Sequence, residues 1–505
     1  MMSSRCRTSG TTGVRRAIVH VALASLVSIS LQAQTPSARV RTMPPDGGSS
    51  LTAHQRLARA IYAELVGINT VDDSVGSTTR AAEALARRFR AAGFPAADVR
   101  VLVPPGKPRK GNLIVRYRGR SMPNAAKPIL LLAHLDVVAA RREDWPRDPF
   151  TLHEEGGFFL GRGASDDKAM ASMFVANLLR YRQEGWRPDR DLVLALTADE
   201  EGGNANGVEW LLANHRGLIE AEYAINEGGG GSLLRSGTDV QPLFHSVQAA
   251  EKVPEDYTIT ARNTGGHSSA PRPDNAIYQL ADGIVRIARH RFPVALNATS
   301  RAFFEQTAKV ERPEVAAAMR AIIANPEDSA AAAIIGRDPR YNSMLRTTCV
   351  ATRLAGGHAH NALPQTATAN VNCRIVPTSS AEDVRTTLTS VLADTGLVIS
   401  YSSSERERFP TSTAPIDPNL LRITTDLTRK MWGDIPVIPT MSTGATDGRF
   451  LRAAGIPTYG VSGIFSLPGE TNAHGRDEKL RVKSYYDGLQ FLDQLVRQLA
   501  GTPTM

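Results

Sequence analysis

Residues 129–136 read ILLLAHLD, and this stretch decides the fold: a short apolar run that leads into a histidine and an aspartate. Such a run is typical of a strand inside a sheet. Similar runs lie before and after it, and segments with helical periodicity alternate with them. The predicted strands are residues 112–117, 129–132, 192–196 and 223–226, and the predicted helices are residues 51–68, 79–93, 168–181 and 207–214. This alternation predicts an α/β domain with a mostly parallel sheet and helices on both faces.

The pattern changes after about residue 250. Strand, helix, strand, strand, helix and strand now follow one another, at residues 256–261, 275–288, 344–352, 367–375, 381–392 and 397–401. This order predicts a small α+β open sandwich of the ferredoxin-like kind. An Ala-rich helical stretch, residues 315–336, lies inside it. The first pattern returns after residue 410, with a helix at 420–432, a strand at 458–461 and a helix at 482–499. We therefore predict one α/β domain in two parts, residues 51–250 and 406–505, interrupted by an inserted domain at residues 251–405.

The composition excludes several classes of protein. The chain has 505 residues, of which 42% are hydrophobic and 22% charged. These values are ordinary for a globular protein and exclude a mainly disordered chain, a collagen and a polytopic membrane protein. Four of the basic residues behind the net charge of +9 lie in the first 33 residues, which contain no acid. The charge left on the remaining chain is small for its length, so we expect no nucleic-acid partner.

The N-terminus resembles an export signal. Arg15 and Arg16 precede a largely apolar run at residues 17–31, which is short for a membrane span of about 20 residues. We predict a signal peptide over residues 1–33, with an uncleaved anchor or a buried helix as the alternatives. Residues 34–50 are rich in proline and glycine and are predicted to be a flexible linker. The expected location is secreted or periplasmic, without stable membrane insertion after cleavage.

The cysteines argue against two kinds of site. Three cysteines are too few for a disulfide scaffold, and the chain has no Cys-x-x-Cys motif for a thiolate zinc site. Cys349 and Cys373 both lie in strand-like runs. They could pair if the protein is exported, or remain as two buried thiols.

Polar side chains follow the predicted strands, at the edge where sheets of this class bind ligands. His134 and Asp136 are two residues apart and so share one face of their strand. A histidine ligand needs its second ring nitrogen held, and Asp136 could do this or could orient neighbouring ligands instead. Asp166 and Asp167 begin a predicted helix. They are either a helix cap or two carboxylates that resist burial unless a cation offsets them.

Further acids follow the next two strands. Asp199-Glu200-Glu201 could be a solvated acidic turn, but three acids after a buried strand are costly without metal or solvent. Glu227 follows the strand after that, and His474 lies in a polar loop far downstream. Together these residues form a set of oxygen and nitrogen ligands without sulfur. Such a set suits a pair of hydrolytic divalent ions, most often zinc, that share one carboxylate.

The ordered motifs resemble a known family. They are His134-Leu135-Asp136, Asp166-Asp167-Lys168, Asp199-Glu200-Glu201-Gly202, Asn226-Glu227-Gly228-Gly229 and His474. In this order they are similar to the di-zinc metallopeptidases that include carboxypeptidase S, glutamate carboxypeptidase, aminoacylase and succinyl-diaminopimelate desuccinylase. The resemblance extends over most of the chain from about residue 51 to residue 499. The Asn226–Gly229 motif is most similar to the carboxypeptidase S branch.

The resemblance implies a role for each of these residues. The implied metal ligands are His134, Asp166, Glu201, Glu227 and His474. Asp166 would bridge two Zn²⁺ ions per chain, although other divalent ions are possible. Glu200 would be the general base, and Asp136 would support the ligands. The family also has a cis peptide after the bridging aspartate, which implies one between Asp166 and Asp167.

The inserted domain resembles the lid, or dimerisation, domain of the same family. His267, within Thr264-Gly265-Gly266-His267-Ser268-Ser269, matches a histidine that reaches the partner subunit's site and stabilises the oxyanion. Asn361 and Arg374 match positions that hold the carboxylate end of the substrate. Arginine suits this task because its planar fork binds a carboxylate with two hydrogen bonds. Without the resemblance, Arg374 would be interpreted as a surface ion pair and His267 as a turn histidine. The resemblance also implies a homodimer formed through the lid.

The expected reaction is metal-dependent amide hydrolysis next to a free carboxylate. Its substrate would be a small peptide that loses its C-terminal residue, as in a carboxypeptidase. The alternative is an N-acyl amino acid that loses its acyl group, as in an aminoacylase. A non-catalytic binding protein on the same fold is a more remote alternative, disfavoured because Glu200 and all five ligand positions are present.

Overall fold

The computed structural model of the chain describes residues 51–120, 126–402, 413 and 415–501. The chain from Leu51 onward forms one compact unit. The predicted signal peptide and linker, residues 1–33 and 34–50, lie outside the described residues. Within the described part, none of the helices combines the length and apolar character that a membrane span requires.

Helices and strands alternate along most of the described chain. The helices are α1 (Ala53–Gly67), α2 (Thr78–Ala91), α3 (Lys168–Glu184), α4 (Gly207–Ile219), α5 (Ala276–Arg289), α6 (Ala298–Thr307), α7 (Pro313–Ala324), α8 (Ser329–Ile335), α9 (Pro339–Leu345), α10 (Ala381–Leu392), α11 (Pro418–Trp432), α12 (Gly448–Ala453) and α13 (Val482–Ala500). The strands are β1 (Val99–Leu102), β2 (Asn112–Tyr117), β3 (Ile129–His134), β4 (His153–Glu155), β5 (Phe158–Leu160), β6 (Leu192–Thr197), β7 (Tyr223–Asn226), β8 (Gly230–Ser236), β9 (Asp239–Glu251), β10 (Val253–Arg262), β11 (Gly266–His267), β12 (Thr348–Gly356), β13 (Ala362–Leu363), β14 (Thr366–Ile375), β15 (Leu397–Tyr401), β16 (Val437–Ser442), β17 (Thr458–Gly460), β18 (Phe465–Ser466) and β19 (Lys479–Arg481).

The large sheet has parallel strands at its centre. Its order is β1-β2-β6-β3-β7-β17-β9-β8-β18, with β16 paired to β9. The four strands β6, β3, β7 and β17 run parallel to one another. Every residue of β3 is buried because helices cover both faces of the sheet. Ile129, Leu131 and Ala133 belong to the core on one face and Leu130 and Leu132 to the core on the other. This two-sided burial explains why the run at residues 129–133 is apolar throughout, and it confirms the predicted α/β class.

The smaller sheet has four antiparallel strands in the order β12-β14-β10-β15. Residues of β14 alternate between buried and half-buried along the strand. The buried side chains pack with α5 and α10 in an apolar core of their own. This is the inserted α+β sandwich that the sequence predicts. The sequence also left open whether Cys349 and Cys373 pair. They lie directly opposite each other on β12 and β14 and form a disulfide.

The segment between α5 and β12 differs from the prediction. The single helical stretch at residues 315–336 is two helices, α7 and α8, flanked by α6 and α9. Helix α7 ends shortly before Pro326, because the residue that precedes a proline is disfavoured in the helical conformation. The predicted strand at 344–352 is wrong at its start, since Met344 and Leu345 end α9 instead. Pro339 in the first turn and the side chain of Asp338 as cap begin that helix.

Candidate metal centre

The predicted ligands converge at the carboxyl ends of the central parallel strands. His134 is the last residue of β3, and Glu201 and Glu227 follow β6 and β7. Asp166 precedes α3, the helix that follows β5, and His474 lies in the loop between β18 and β19. Parallel strands bring these chain-distant residues together because their carboxyl ends share one edge of the sheet.

Asp166 lies between the two histidines. One of its oxygens, Oδ1, is 3.0 Å from Nε2 of His134, and the other, Oδ2, is 3.2 Å from Nε2 of His474. Nε2 of His474 is also 2.9 Å from Oε2 of Glu201. Ligands bound at ~2.1 Å to one tetrahedral ion are roughly 3.4 Å apart. The two oxygens of Asp166 therefore each face one histidine at a separation that fits two ions sharing this carboxylate.

Two groups of three side chains could each hold an ion. One consists of His134, Asp166 and Glu201, and the other of His134, Asp167 and Glu227, with ligand atoms within 4.8 Å of one another in each group. Asp167 was not among the ligands that the resemblance implies. It precedes α3 but makes no capping hydrogen bond, so the helix-cap interpretation is wrong. The peptide between Asp166 and Asp167 is cis, as the resemblance implies.

The ring of His134 is held for metal binding. Its Nδ1–H donates to the backbone carbonyl of Asp136 at 3.0 Å, so Nε2 is the nitrogen that faces Asp166. In the neutral ring, Nε2 then carries the lone pair that an ion would bind. The carboxylate of Asp136 has a different task. It accepts hydrogen bonds from the backbone N–H groups of Glu200 and Glu201, at 3.2 and 3.0 Å. Asp136 thus orients the turn that carries the predicted base and one predicted ligand.

Several acids of the site lie where burial and like charges disfavour their ionised form. Burial, together with neighbouring carboxylates, raises the pKa of Glu200 to about 10 and that of Glu227 to about 7. Burial also raises the pKa of Asp167 well above its usual value, and its Oδ2 has no hydrogen-bond partner among the described residues. For Asp166, hydrogen bonds from both histidines overcome burial and lower the pKa.

These features fit a divalent metal. The donor atoms are imidazole nitrogens and carboxylate oxygens, which are the ligands of hydrolytic zinc and related ions. A buried carboxylate oxygen without a partner, as in Asp167, is an expected ligand atom. Cations at this place would lower the pKa values of the surrounding carboxyl groups.

Glu478 is an important residue of the site that the sequence analysis missed. Its buried carboxylate accepts hydrogen bonds from the backbone N–H groups of Gly163, Ser165 and Asp166, at 2.7–3.0 Å. It also forms a buried ion pair with Arg162 at 2.8 Å. Glu478 therefore fixes the loop that presents Asp166. Its position four residues after His474 was the only signal in the sequence.

A second missed network lies behind Glu227. Asn226 donates a hydrogen bond at 3.1 Å to the hydroxyl of Thr446, and this hydroxyl donates at 2.9 Å to the buried Glu251. Glu251 also pairs with the buried Arg452. The adjacent Asp447 accepts hydrogen bonds from two further buried or half-buried side chains behind the site. The loop that carries Thr446 and Asp447 thus packs behind the metal centre.

The lid residues are placed apart from this cluster of ligands. His267 and Asn361 are both exposed and lie beside each other, because β11 pairs with β13. Arg374 is half-buried in β14, and its side chain makes no hydrogen bond or ion pair with another described residue. It lies near Lys252, at the β9–β10 junction, whose pKa is lowered to about 7 by burial and by Arg374. No contact joins these three lid residues to the metal centre within the described part of this chain.

Comparison with known proteins gives one matching family model. The model described as peptidase family M20/M25/M40 matches residues 130–498. This range includes all five predicted ligands and all three lid residues.

Curated relatives match a similar part of the chain. N-fatty-acyl-amino acid synthase/hydrolase PM20D1 of Homo sapiens is 28% identical over 385 residues, covering 74% of each chain. Probable carboxypeptidase S-like 2 of Dictyostelium discoideum is 27% identical over 398 residues, covering 76% of this chain and 74% of the relative.

Solved structures share the fold. The M20 family metallo-carboxypeptidase Sso-CP2 from Sulfolobus solfataricus has a TM-score of 0.62 at 17% identity, over 87% of this chain and 98% of that one. The Bacillus subtilis YXEP protein, described as a dinuclear metal-binding peptidase of the M20 family, has a TM-score of 0.54 at 12% identity. The match covers 89% of this chain and 99% of that protein.

Proposed function

Since the chain belongs to peptidase family M20/M25/M40 and is a hydrolase of that family, we propose that it is a carboxypeptidase that uses two Zn²⁺ ions. It would cleave the amide bond next to a free carboxylate and release a C-terminal amino acid. The observation that carries the proposal is the position of Asp166, with one carboxylate oxygen toward each of two histidines.

The ligand residues divide between two ion sites. His134 and Glu227 would hold one ion, His474 and Glu201 the other, and Asp166 both. When bound, such ions supply Lewis acidity, which polarises the scissile carbonyl and makes water acidic enough to lose a proton near neutral pH. Nitrogen and carboxylate ligands without sulfur support zinc but also suit related divalent ions.

Glu200 would transfer the proton. It follows Asp199 in the turn held by Asp136, next to the ligand Glu201. There it can take a proton from the attacking water and pass it to the leaving amine. A carboxylate base fits this task only when its pKa lies well below the value of about 10 that burial and like charges produce without cations. Metal binding and base function are therefore coupled in this proposal.

The lid would bind the substrate's ends. His267 would donate a hydrogen bond to the oxyanion of the tetrahedral intermediate. Arg374 and Asn361 would bind the substrate carboxylate, and the half-buried guanidinium of Arg374 has no partner among the described residues to compete with one. The same carboxylate site would serve an N-acyl amino acid. The name of the human relative refers to N-fatty-acyl amino acids, which supports an amidohydrolase as the second candidate.

Two further proposals concern assembly and location. Val350 and Leu354 are exposed on β12, an edge strand of the smaller sheet, and Tyr278 is exposed on the adjacent α5. An apolar, unpaired edge supports a homodimer formed through this lid. We also propose export, supported by the apolar run after Arg15 and Arg16 and by the Cys349–Cys373 disulfide, since disulfides persist in oxidising compartments.

The test combines metal analysis with a substrate panel. Purified protein would be assayed on dipeptides and N-acyl amino acids, with and without chelator, and its metal content measured. We expect about two zinc ions per chain and chelator-sensitive release of an amino acid. Preference for peptides would support the carboxypeptidase, and preference for acyl substrates the second candidate. Zinc-loaded, folded protein that hydrolyses neither class would contradict both.

A variant tests the base. Glu200→Gln should lower kcat by about 10²- to 10⁴-fold while the metal content stays unchanged. Glu209→Gln is the matched control, because Glu209 is exposed on α4. Loss of metal in Glu200→Gln would mean that Glu200 is a ligand, and wild-type activity would mean that it is not the base.

A further inference from the structure

The conformation of His267 is set by its own loop and not by packing. Its side chain is exposed, and β11 holds its backbone opposite Ala362. Beyond this pair, the backbone N–H of Ser268 donates a hydrogen bond at 3.0 Å to the carbonyl of Asn361. These contacts fix the backbone beside Asn361 but leave the imidazole free to rotate. Any restraint on the ring must come from hydrogen bonds to its nitrogens.

Among the described residues, the two donors that reach the ring both belong to Ser269. Its backbone N–H lies 3.2 Å and its hydroxyl 2.7 Å from Nδ1 of His267. A backbone N–H can only donate, so Nδ1 must accept and carries no proton. In the neutral ring the proton is then on Nε2. The hydroxyl, facing the same nitrogen, also donates its proton to Nδ1.

We propose that Ser269 is a positioning residue for hydrolysis, which holds the His267 ring in the Nε2–H tautomer and turns that N–H outward as a donor. The inference rests on the proposed function, in which His267 binds the oxyanion. An oxyanion offers only lone pairs, so a ring with its proton on Nδ1 would present a repelling lone pair at Nε2. The backbone N–H of Ser269 disfavours that arrangement because it can only donate to Nδ1. The hydroxyl adds a second donor to the same nitrogen and limits rotation of the exposed ring.

Kinetics would separate this role from a structural one. Ser269→Ala should lower kcat about tenfold with little change in KM, because the hydrogen bond to the oxyanion forms only as the reaction proceeds. Ser269→Thr, which keeps the hydroxyl, should restore most of the rate. Ser268→Ala is the matched control, since the Ser268 side chain makes no hydrogen bond with the described residues, and it should behave as wild type.

A double variant tests whether Ser269 acts through His267. If it does, adding Ser269→Ala to His267→Ala should cause no further loss. An equal tenfold loss in both backgrounds would overturn the inference. His267→Ala with full wild-type activity would instead contradict the oxyanion role in the proposed function, which is a distinguishable result.

Nitrogen NMR of histidine-labelled full-length protein tests the tautomer without any assay of activity. The His267 signals, assigned by their absence in His267→Ala, should show a protonated Nε2 and a hydrogen-bonded, unprotonated Nδ1 in the wild type. In Ser269→Ala the Nδ1 signal should move toward that of a weaker acceptor. A wild-type ring with its proton on Nδ1, or a spectrum unchanged in Ser269→Ala, would refute the inference.

Discussion

Replacing Glu478 by glutamine should destabilise the fold more than any single surface change. Its carboxylate receives five hydrogen bonds, three from backbone N–H groups, one from the Ser165 hydroxyl at 2.9 Å and one from Arg162. Both partners of the Arg162–Glu478 pair are almost wholly buried, with side chains 3% and 1% exposed. A glutamine keeps one acceptor oxygen, but its NH₂ group would face some of the N–H and O–H groups that now donate to the carboxylate.

The magnitude follows from what would be left unpaired. Breaking a buried ion pair by removing one charge typically costs about 3–5 kcal/mol, because the remaining charge loses its compensation. Arg162 would keep weaker contacts, to the carbonyls of Ala139 and His474, both at 3.3 Å, and to the ring of Trp145, whose centroid is 5.2 Å away. We therefore expect Glu478→Gln to lower the free energy of unfolding by about 3–5 kcal/mol.

Denaturant unfolding of the metal-free protein would measure this loss without a contribution from bound ions. Glu154→Gln is the matched control, because the Arg59–Glu154 pair is more than two-fifths exposed on both sides. Exposed pairs contribute at most about 1 kcal/mol. If Glu478→Gln and Glu154→Gln unfold within ~1 kcal/mol of each other, the reasoning from burial is refuted. A loss confined to metal binding, with unchanged unfolding, would also contradict it.

Chelation should lower the unfolding midpoint, and metal restored at a hundred times its Kd should add about 2.7 kcal/mol per independent site, measurable by thermal scans. Burial lowers the pKa of His245 to about 4, so the unfolded chain takes up a proton first as pH falls. Stability should therefore decrease from pH 6.5 to 4 by up to about 3 kcal/mol, with a flatter pH profile in His245→Gln. Replacing Cys349 and Cys373 by serine should cost about 3 kcal/mol for a closed loop of this length, and reductant should have the same effect on the wild type but none on the variant.

The central sheet could be predicted from the sequence because its strands are buried on both faces. Residues 129–132 contain no polar side chain, and a short run of this kind predicts a strand inside a sheet. The strand β16 carries a proline and is half-buried over much of its length, so its pattern gave no such signal. The strands β8 and β9 were missed as well. Strands of mixed burial owe their conformation to tertiary pairing, which local periodicity does not encode.

The convergence of the ligands could be anticipated for a similar reason. The carboxyl ends of parallel strands lie at the same edge of the sheet. A histidine or an acid at the end of such a strand must therefore lie at that edge, which places His134, Glu201 and Glu227 near one another. The place of Asp167 did not follow, because a helix cap and a buried carboxylate have the same local sequence. Only the missing capping hydrogen bond and the unpartnered oxygen separate the two.

The acids of the site form two layers that the sequence does not distinguish. Asp166 and Glu201 bring their oxygens together beside the histidines, and Glu227 lies close to His134 and Asp167. Carboxylates placed this close repel one another unless cations are present. Asp136 and Glu478 turn theirs toward backbone N–H groups, which satisfy them without metal. The second layer should therefore keep the loops in shape when the metal is removed. On this argument, metal loss relaxes the ligand side chains but leaves their backbone in place, and the site can reload without refolding.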